Sequence, residues 1–117
     1  MKTAIVIDDD LDSVDVLCEF LELKNIQILG KGYDGKEAIE LYQELRPNLV
    51  FLDVMMPNYD GFYALEKIKQ INPSSIVIMI TADLTDITDS RLKMLHASAV
   101  VYKPYDINLI MKIVNEL

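Results

Sequence analysis

Apolar and polar positions fall into alternating blocks along this chain. Four short runs, Ala4 to Ile7, Leu49 to Leu52, Ile76 to Ile80 and Ala99 to Tyr102, are continuously apolar, the pattern of strands covered on both faces. Ile26 to Lys31 is more mixed and predicts an edge strand. Between the runs the apolar period changes from continuous to helical. Val14, Leu17, Cys18 and Leu21 form one stripe. Asp34 caps a second helix, in which Ala38, Leu41, Tyr42 and Leu45 keep the i, i+3, i+4, i+7 spacing until Pro47 ends it. Asp60 opens a third, with Leu65, Ile68 and Ile71 inward and Pro73 behind it. The last helix starts at Asp106, is expected to bury Ile110, Ile113, Val114 and Leu117, and runs to the final residue.

Leu84 to Leu95 is the weak member of the series. Thr85, Asp86, Thr88, Asp89 and Ser90 are mediocre helix formers and the apolar stripe is thin. The segment is assigned as a helix, and its low propensity suits an element that shifts between two positions. Strand and helix therefore alternate five times without a long linker, which predicts one α/β domain over residues 1–117: five parallel strands with five helices on both faces. No output domain is expected to follow.

Composition narrows the function classes. At 117 residues and 51% hydrophobic content the chain supports one real core. A net charge of −8 argues against the broad basic surface that gives nucleic-acid affinity, so direct nucleic-acid binding is not expected. No stretch approaches the ~20 apolar residues of a membrane span, and the first apolar run meets three Asp at once, unlike a signal peptide. The lone Cys18 reads as a small hydrophobe in a helix, and a small domain without bridges fits a cytoplasmic location.

The chemistry lies where the apolar runs stop. They end on Asp8-Asp9-Asp10, on Asp53, on Thr81 and on Lys103-Pro104. If the runs are parallel strands, these ends share the edge at which open α/β sheets bind ligands. Two carboxylates ~4 Å apart repel by about 4 kcal/mol at an effective dielectric of 20. A hard divalent cation offsets that, and Mg²⁺ prefers a few carboxylates plus water and phosphate oxygens. Helix capping accounts for Asp10 or Asp12 and leaves Asp8 and Asp9 over. Asp53, held ionised beside the metal, can act as a nucleophile toward phosphorus. Lys103 can neutralise a phosphoryl oxygen, although each of Asp53, Thr81 and Lys103 taken singly is also an ordinary cap or loop residue.

Taken as an ordered set, Val6-Ile7-Asp8-Asp9, Leu52-Asp53-Val54-Met55-Met56-Pro57 with Asp60-Gly61, Ile80-Thr81-Ala82 and Lys103-Pro104-Tyr105 resemble the receiver domain of the two-component response regulator family over essentially the whole chain. The resemblance implies a doubly wound, flavodoxin-like sheet in the order 2-1-3-4-5. It implies a phosphoacceptor switch, not a turnover enzyme: Asp53 would receive a phosphoryl group from a phosphohistidine on a histidine kinase or histidine phosphotransfer protein. Asp9 and Asp53 would bind Mg²⁺ directly, Asp8 through water, and Met55 through its main-chain carbonyl. Lys103 would pair with the phosphoryl group, Thr81 would move toward it, and the Lys103-Pro104 bond would be cis. A downstream protein would read the switched surface.

This chain departs from the family at two places. Val100 stands where a Tyr or Phe usually sits three residues before the lysine, and Tyr102 is not its substitute. His96 takes a place often held by Gly and reads as a surface or cap residue. Met55 and Asp83 occupy positions that tune how water reaches an acyl phosphate. Outside the chemistry, Val16, Phe20 and Leu23 make a second apolar stripe opposite the buried face of the first helix, expected to dock on the helical bundle carrying the donor histidine. Leu109, Met111, Tyr102 and Tyr105 outline an output face. Two other readings remain: a haloacid-dehalogenase-like phosphatase using Asp8, with Asp12 where that motif has Thr, and a phosphorylation-independent interaction module, supported only by Val100.

Overall fold

The apolar runs become the strands of one parallel sheet and the periodic segments become helices. In chain order these are β1 (Thr3–Ile7), α1 (Leu11–Leu23), β2 (Gln27–Gly32), α2 (Gly35–Leu45), β3 (Leu49–Asp53), α3 (Gly61–Ile71), β4 (Ile76–Thr81), α4 (Asp86–Met94), β5 (Ala99–Tyr102) and α5 (Ile107–Glu116), in a computed structural model that describes every residue from Met1 to Leu117. The sheet order is β2-β1-β3-β4-β5 with all pairs parallel, the doubly wound arrangement expected. Winding reverses between β1 and β3, which opens a crevice beyond their carboxyl ends.

Each strand feeds two cores by alternation. Ile5, Ile7, Val50, Leu52, Val77 and Met79 face Ala38 and Tyr42 of α2, Leu65 and Ile68 of α3, and Leu92 of α4. Ala4, Val6, Leu49, Phe51, Ile78, Ile80 and Val101 face Leu17, Cys18 and Leu21 of α1 and Ile110 and Val114 of α5. Cys18 is buried, and burial pushes its thiol up to about 11, so it is an inert core residue.

The helix starts follow the capping rules. Asp34 accepts the Glu37 N–H at 2.8 Å, while the Glu37 carboxylate reaches past the cap to accept the Tyr33 N–H at 3.2 Å, a variant of the capping box. Asp60 and Asp106 cap α3 and α5 through the N–H groups of Tyr63 and Asn108. Asp10 occupies the N-cap position of α1 but caps no N–H; its carboxylate accepts the Ser13 hydroxyl at 2.7 Å.

Two local expectations need correction, and one irregularity is new. The last helix stops at Glu116, and Leu117, the capping residue past its final turn, is 43% exposed. The edge strand begins at Gln27, one residue later than its apolar pattern, and Ile26 is buried ahead of it. β2 also carries one extra residue against β1: Ala4 pairs with Ile28 and Ile5 with Gly30, leaving Leu29 unmatched.

The weak segment is a helix. It buries only Thr88 and Leu92, while Leu84, Ile87 and Met94 are exposed. It ends with His96 at φ 66°, where the Ala97 N–H reaches the Leu92 carbonyl and the His96 N–H reaches Lys93. This is the left-handed C-terminal motif that favours glycine, and it explains what His96 does. No helix is long and apolar enough to cross a membrane.

Candidate functional site

Strand parity decides which side chains meet. Asp8 continues the parity of Ala4 and Val6, Asp53 that of Leu49 and Phe51, and Lys103 that of Val101, all residues of the α1/α5 core. Three charged groups therefore leave the carboxyl edge on one side of the sheet. Carboxylate oxygens of Asp8, Asp9 and Asp53 lie within 4.8 Å of one another. The Lys103 Nζ sits 2.9 Å from Asp8 Oδ2 and 3.4 Å from Asp53 Oδ1. Asp8 and Asp53 are buried and Asp9 is exposed. The end of β1 is fixed further by the Asp8 N–H to the Gly32 carbonyl and by the Asp10 N–H to Asp8 Oδ1.

One ammonium does not balance three acids. At 4.8 Å a pair of carboxylates repels by roughly 3.5 kcal/mol at a dielectric of 20. Burial, then the Asp8 charge, push Asp53 up to about 6 against the opposing pull of Lys103. Asp9 is raised as well, by burial first and by Asp8 second. Burial lowers the Lys103 ammonium, but Asp8 and Asp53 outweigh it and leave it above its ordinary value. The cluster has oxygen donors and an excess negative charge, the two properties a hard divalent cation requires, so Mg²⁺ fits these residues.

Met55 follows the strand on the surface and is 61% exposed. Thr81 is placed differently from Asp8, Asp53 and Lys103. It shares the parity of Val77 and Met79, which belong to the opposite core, and it is fully buried. Its hydroxyl accepts the Asp83 N–H at 3.0 Å. Asp83 in turn is committed to α4: its carboxylate accepts the Thr85 N–H at 2.9 Å and the Thr88 hydroxyl at 2.6 Å, bonds that hold it below the usual carboxylate range. In this arrangement Asp83 turns away from the mouth of the site. The Lys103-Pro104 bond is cis.

A cavity of about 570 Å³ adjoins Asp53 and Lys103, walled by Val16 and Phe20 of α1 and by Pro104 and Tyr105. Val16 and Phe20 are 46% and 40% exposed, as their position opposite the buried stripe predicts. Gly61 is a member of the site that side-chain chemistry misses. A Cβ there would stand 2.2 Å from the Asp53 carbonyl oxygen and 2.8 Å from Val54 Cα, backbone that has no room to yield. Its N–H donates to the Val54 carbonyl. The sequence signal was the Asp60-Gly61 pair closing the loop after Asp53. Gly61→Ala is expected to lower stability by about 1–3 kcal/mol and to weaken Mg²⁺ binding, read by urea melts and by metal titration. Unchanged metal affinity in a destabilised variant would separate Gly61 from the site.

The chain resembles known proteins along nearly its whole length. The family model described as the response regulator receiver domain matches residues 4–115. Over all 117 residues the chain is 32% identical to Protein CcdB of Bacillus subtilis, covering 98% of that protein. It is 27% identical to the chemotaxis protein CheY of Thermotoga maritima over 81 residues, 69% of this chain and 68% of that one. Among solved structures, the CheX–CheY–BeF3–Mg complex of Borrelia burgdorferi superposes with a TM-score of 0.93 at 25% identity, over 98% of this chain and 87% of that chain. With its sheet order, its acidic edge and a family match spanning nearly every residue, the chain belongs to the response regulator receiver domain family.

Proposed function

We propose that residues 1–117 form one receiver domain in which Asp53 accepts a phosphoryl group from the phosphohistidine of a histidine kinase or histidine phosphotransfer protein in the cytoplasm. An Asp53 carboxylate oxygen forms the new O–P bond as the donor's N–P bond breaks, and the released imidazole takes up a proton. The observation that carries this reading is a buried carboxylate at a strand end with two further acids within 4.8 Å and an ammonium at 3.4 Å. Asp9, Asp53 and the Met55 main-chain carbonyl would hold Mg²⁺, with Asp8 acting through water; when bound it neutralises the crowded oxygens. Lys103 then exchanges its Asp53 contact for a phosphoryl oxygen, a charge-assisted bond aimed where negative charge arrives.

For Thr81 to reach that group, its hydroxyl must give up the Asp83 N–H. Asp83 holds the first turn of α4, so the exchange loosens a helix that buries only two residues. No aromatic accompanies it, because that position holds Val100, half-buried against the core that contains Leu92 of α4. Tyr102 instead points outward and donates to Asp89 of α4 at 3.1 Å. The product is a changed surface for a downstream protein, and the domain is a switch, not a turnover enzyme. Asp8 is a poor nucleophile here, since its two oxygens are engaged by Lys103 and by the Asp10 N–H.

Treatment with acetyl phosphate and Mg²⁺, followed by intact mass, tests the assignment: wild type gains one phosphoryl group and Asp53→Asn gains none. Equal uptake by both sinks it. The α1 stripe beside the cavity supplies the dock for the donor's helices. Val16→Ser with Phe20→Ser should slow transfer from a phosphohistidine protein by about tenfold or more while leaving acetyl phosphate unaffected. Equal slowing of both donors would remove α1 from the docking surface.

A further inference from the structure

At the opposite pole of the sheet, ahead of β1, β3 and β4, lies a cleft of about 430 Å³. None of its ten lining residues is acidic, in a chain with 19 Asp and Glu against 11 Lys and Arg. The carbonyl ends of the neighbouring elements already have partners. Lys2 donates to the Val114 carbonyl at 3.2 Å, Lys69 donates to the Ser75 carbonyl, and the Arg46 and Asn72 N–H groups close α2 and α3.

What remains is a set of donors without acceptors. Ser75 is 6% exposed, and its Oγ is the one buried side-chain polar atom without a hydrogen-bond partner. The Tyr42 hydroxyl, in a residue 2% exposed, accepts Asn72 Nδ2 at 3.0 Å and donates to nothing. The Arg46 guanidinium lies 5.6 Å from the Tyr42 ring centroid and forms no ion pair. These groups are contiguous, since the Ser75 N–H also bonds the Asn72 carbonyl. A buried unsatisfied hydroxyl is costly, and a guanidinium presents a fork matched to oxyanions.

We infer that the cleft bounded by Tyr42, Arg46, Asn72 and Ser75 binds a small oxyanion, phosphate or carboxylate, at the pole remote from Asp53. The guanidinium supplies charge and two parallel donors, and the Tyr42 hydroxyl and, after rotation about its χ1, the Ser75 hydroxyl donate beside it. Nothing in this inference passes through the phosphoacceptor edge.

The test is a titration followed by ¹H–¹⁵N correlation spectra, without Mg²⁺ and at constant ionic strength set by chloride. Inorganic phosphate forms one arm and succinate the other. Saturable shifts are expected at the amides of Arg46, Asn48, Asn72, Ser74 and Ser75, and the arm that saturates at lower concentration names the ligand class. Arg46→Gln and Ser75→Ala should each weaken the affinity by about tenfold. Both should keep the fold, because Arg46 is exposed and the Ser75 hydroxyl holds nothing in place. Shifts that never saturate in either arm, that map to the Asp53 edge, or that persist with unchanged affinity in either variant overturn the inference.

Discussion

Asp53→Asn should make the metal-free protein more stable at neutral pH, by about 1–3 kcal/mol, while abolishing its phosphorylation. The reason is the displacement of Asp53 from its ordinary value of 3.8 to about 6, caused first by burial and second by Asp8. The folded chain therefore holds this proton more tightly than the unfolded chain. Stability from this group is fully present below about 3.8 and is lost as pH rises through about 6. Above that range the wild type keeps an ionised acid among other acids, and the neutral amide removes the strain. The advantage of the variant should thus be absent near pH 4, grow between 4 and 6, and stay level above. Urea melts in chelator across this range measure it; an advantage independent of pH, or a less stable variant at pH 7.5, would contradict the account. Saturating Mg²⁺ should narrow the gap, since it stabilises the folded wild type by mass action and the amide is a poorer ligand.

Lys103→Met should act in the opposite direction. Its ammonium contacts both buried acids, and the three side chains are 30%, 11% and 7% exposed for Lys103, Asp8 and Asp53. Removing one member of such a cluster leaves uncompensated charge, at a cost of about 2–4 kcal/mol without metal. Mg²⁺ should recover much of that loss, because it answers the same excess charge. Phosphorylation by acetyl phosphate should fall by roughly 10²–10³ even with metal saturating, as expected when a fixed donor to a transferring group is removed. On an Asp53→Asn background the stability cost should shrink, a coupling read from the double-mutant cycle. Strict additivity would mean that Lys103 and Asp53 do not sense each other, contrary to their 3.4 Å separation.

The strands, their shared edge and most helix faces were legible because they rest on periodicity. Continuous apolar runs mark strands with two covered faces, and alternation alone assigns Asp8, Asp53 and Lys103 to one side. The same parity, applied to Thr81, would have turned it toward the other core; reading only strand ends placed it with the rest. Other features depend on partners distant in sequence. That Asp10 would bond Ser13 instead of a backbone N–H, or that Asp83 would turn to Thr88, follows from loop geometry that side-chain identity does not encode. Gly61 escaped a search for reactive groups because its contribution is the absence of a side chain next to the Asp53 backbone. The α4 segment was visible as weak, and its thin burial is the physical content of that weakness. His96 looked anomalous until its positive φ showed why glycine is favoured there.

The unmatched Leu29 in β2 has its own consequence. An outermost strand presents free amide and carbonyl groups that invite pairing with another chain, and a straight one is a template for self-association. One surplus residue bends the strand and breaks its hydrogen-bond rhythm, and Lys31, two residues on, sets an ammonium paired with Asp15 beside it. At the β2 side of the sheet, this kink guards the domain against edge-to-edge aggregation.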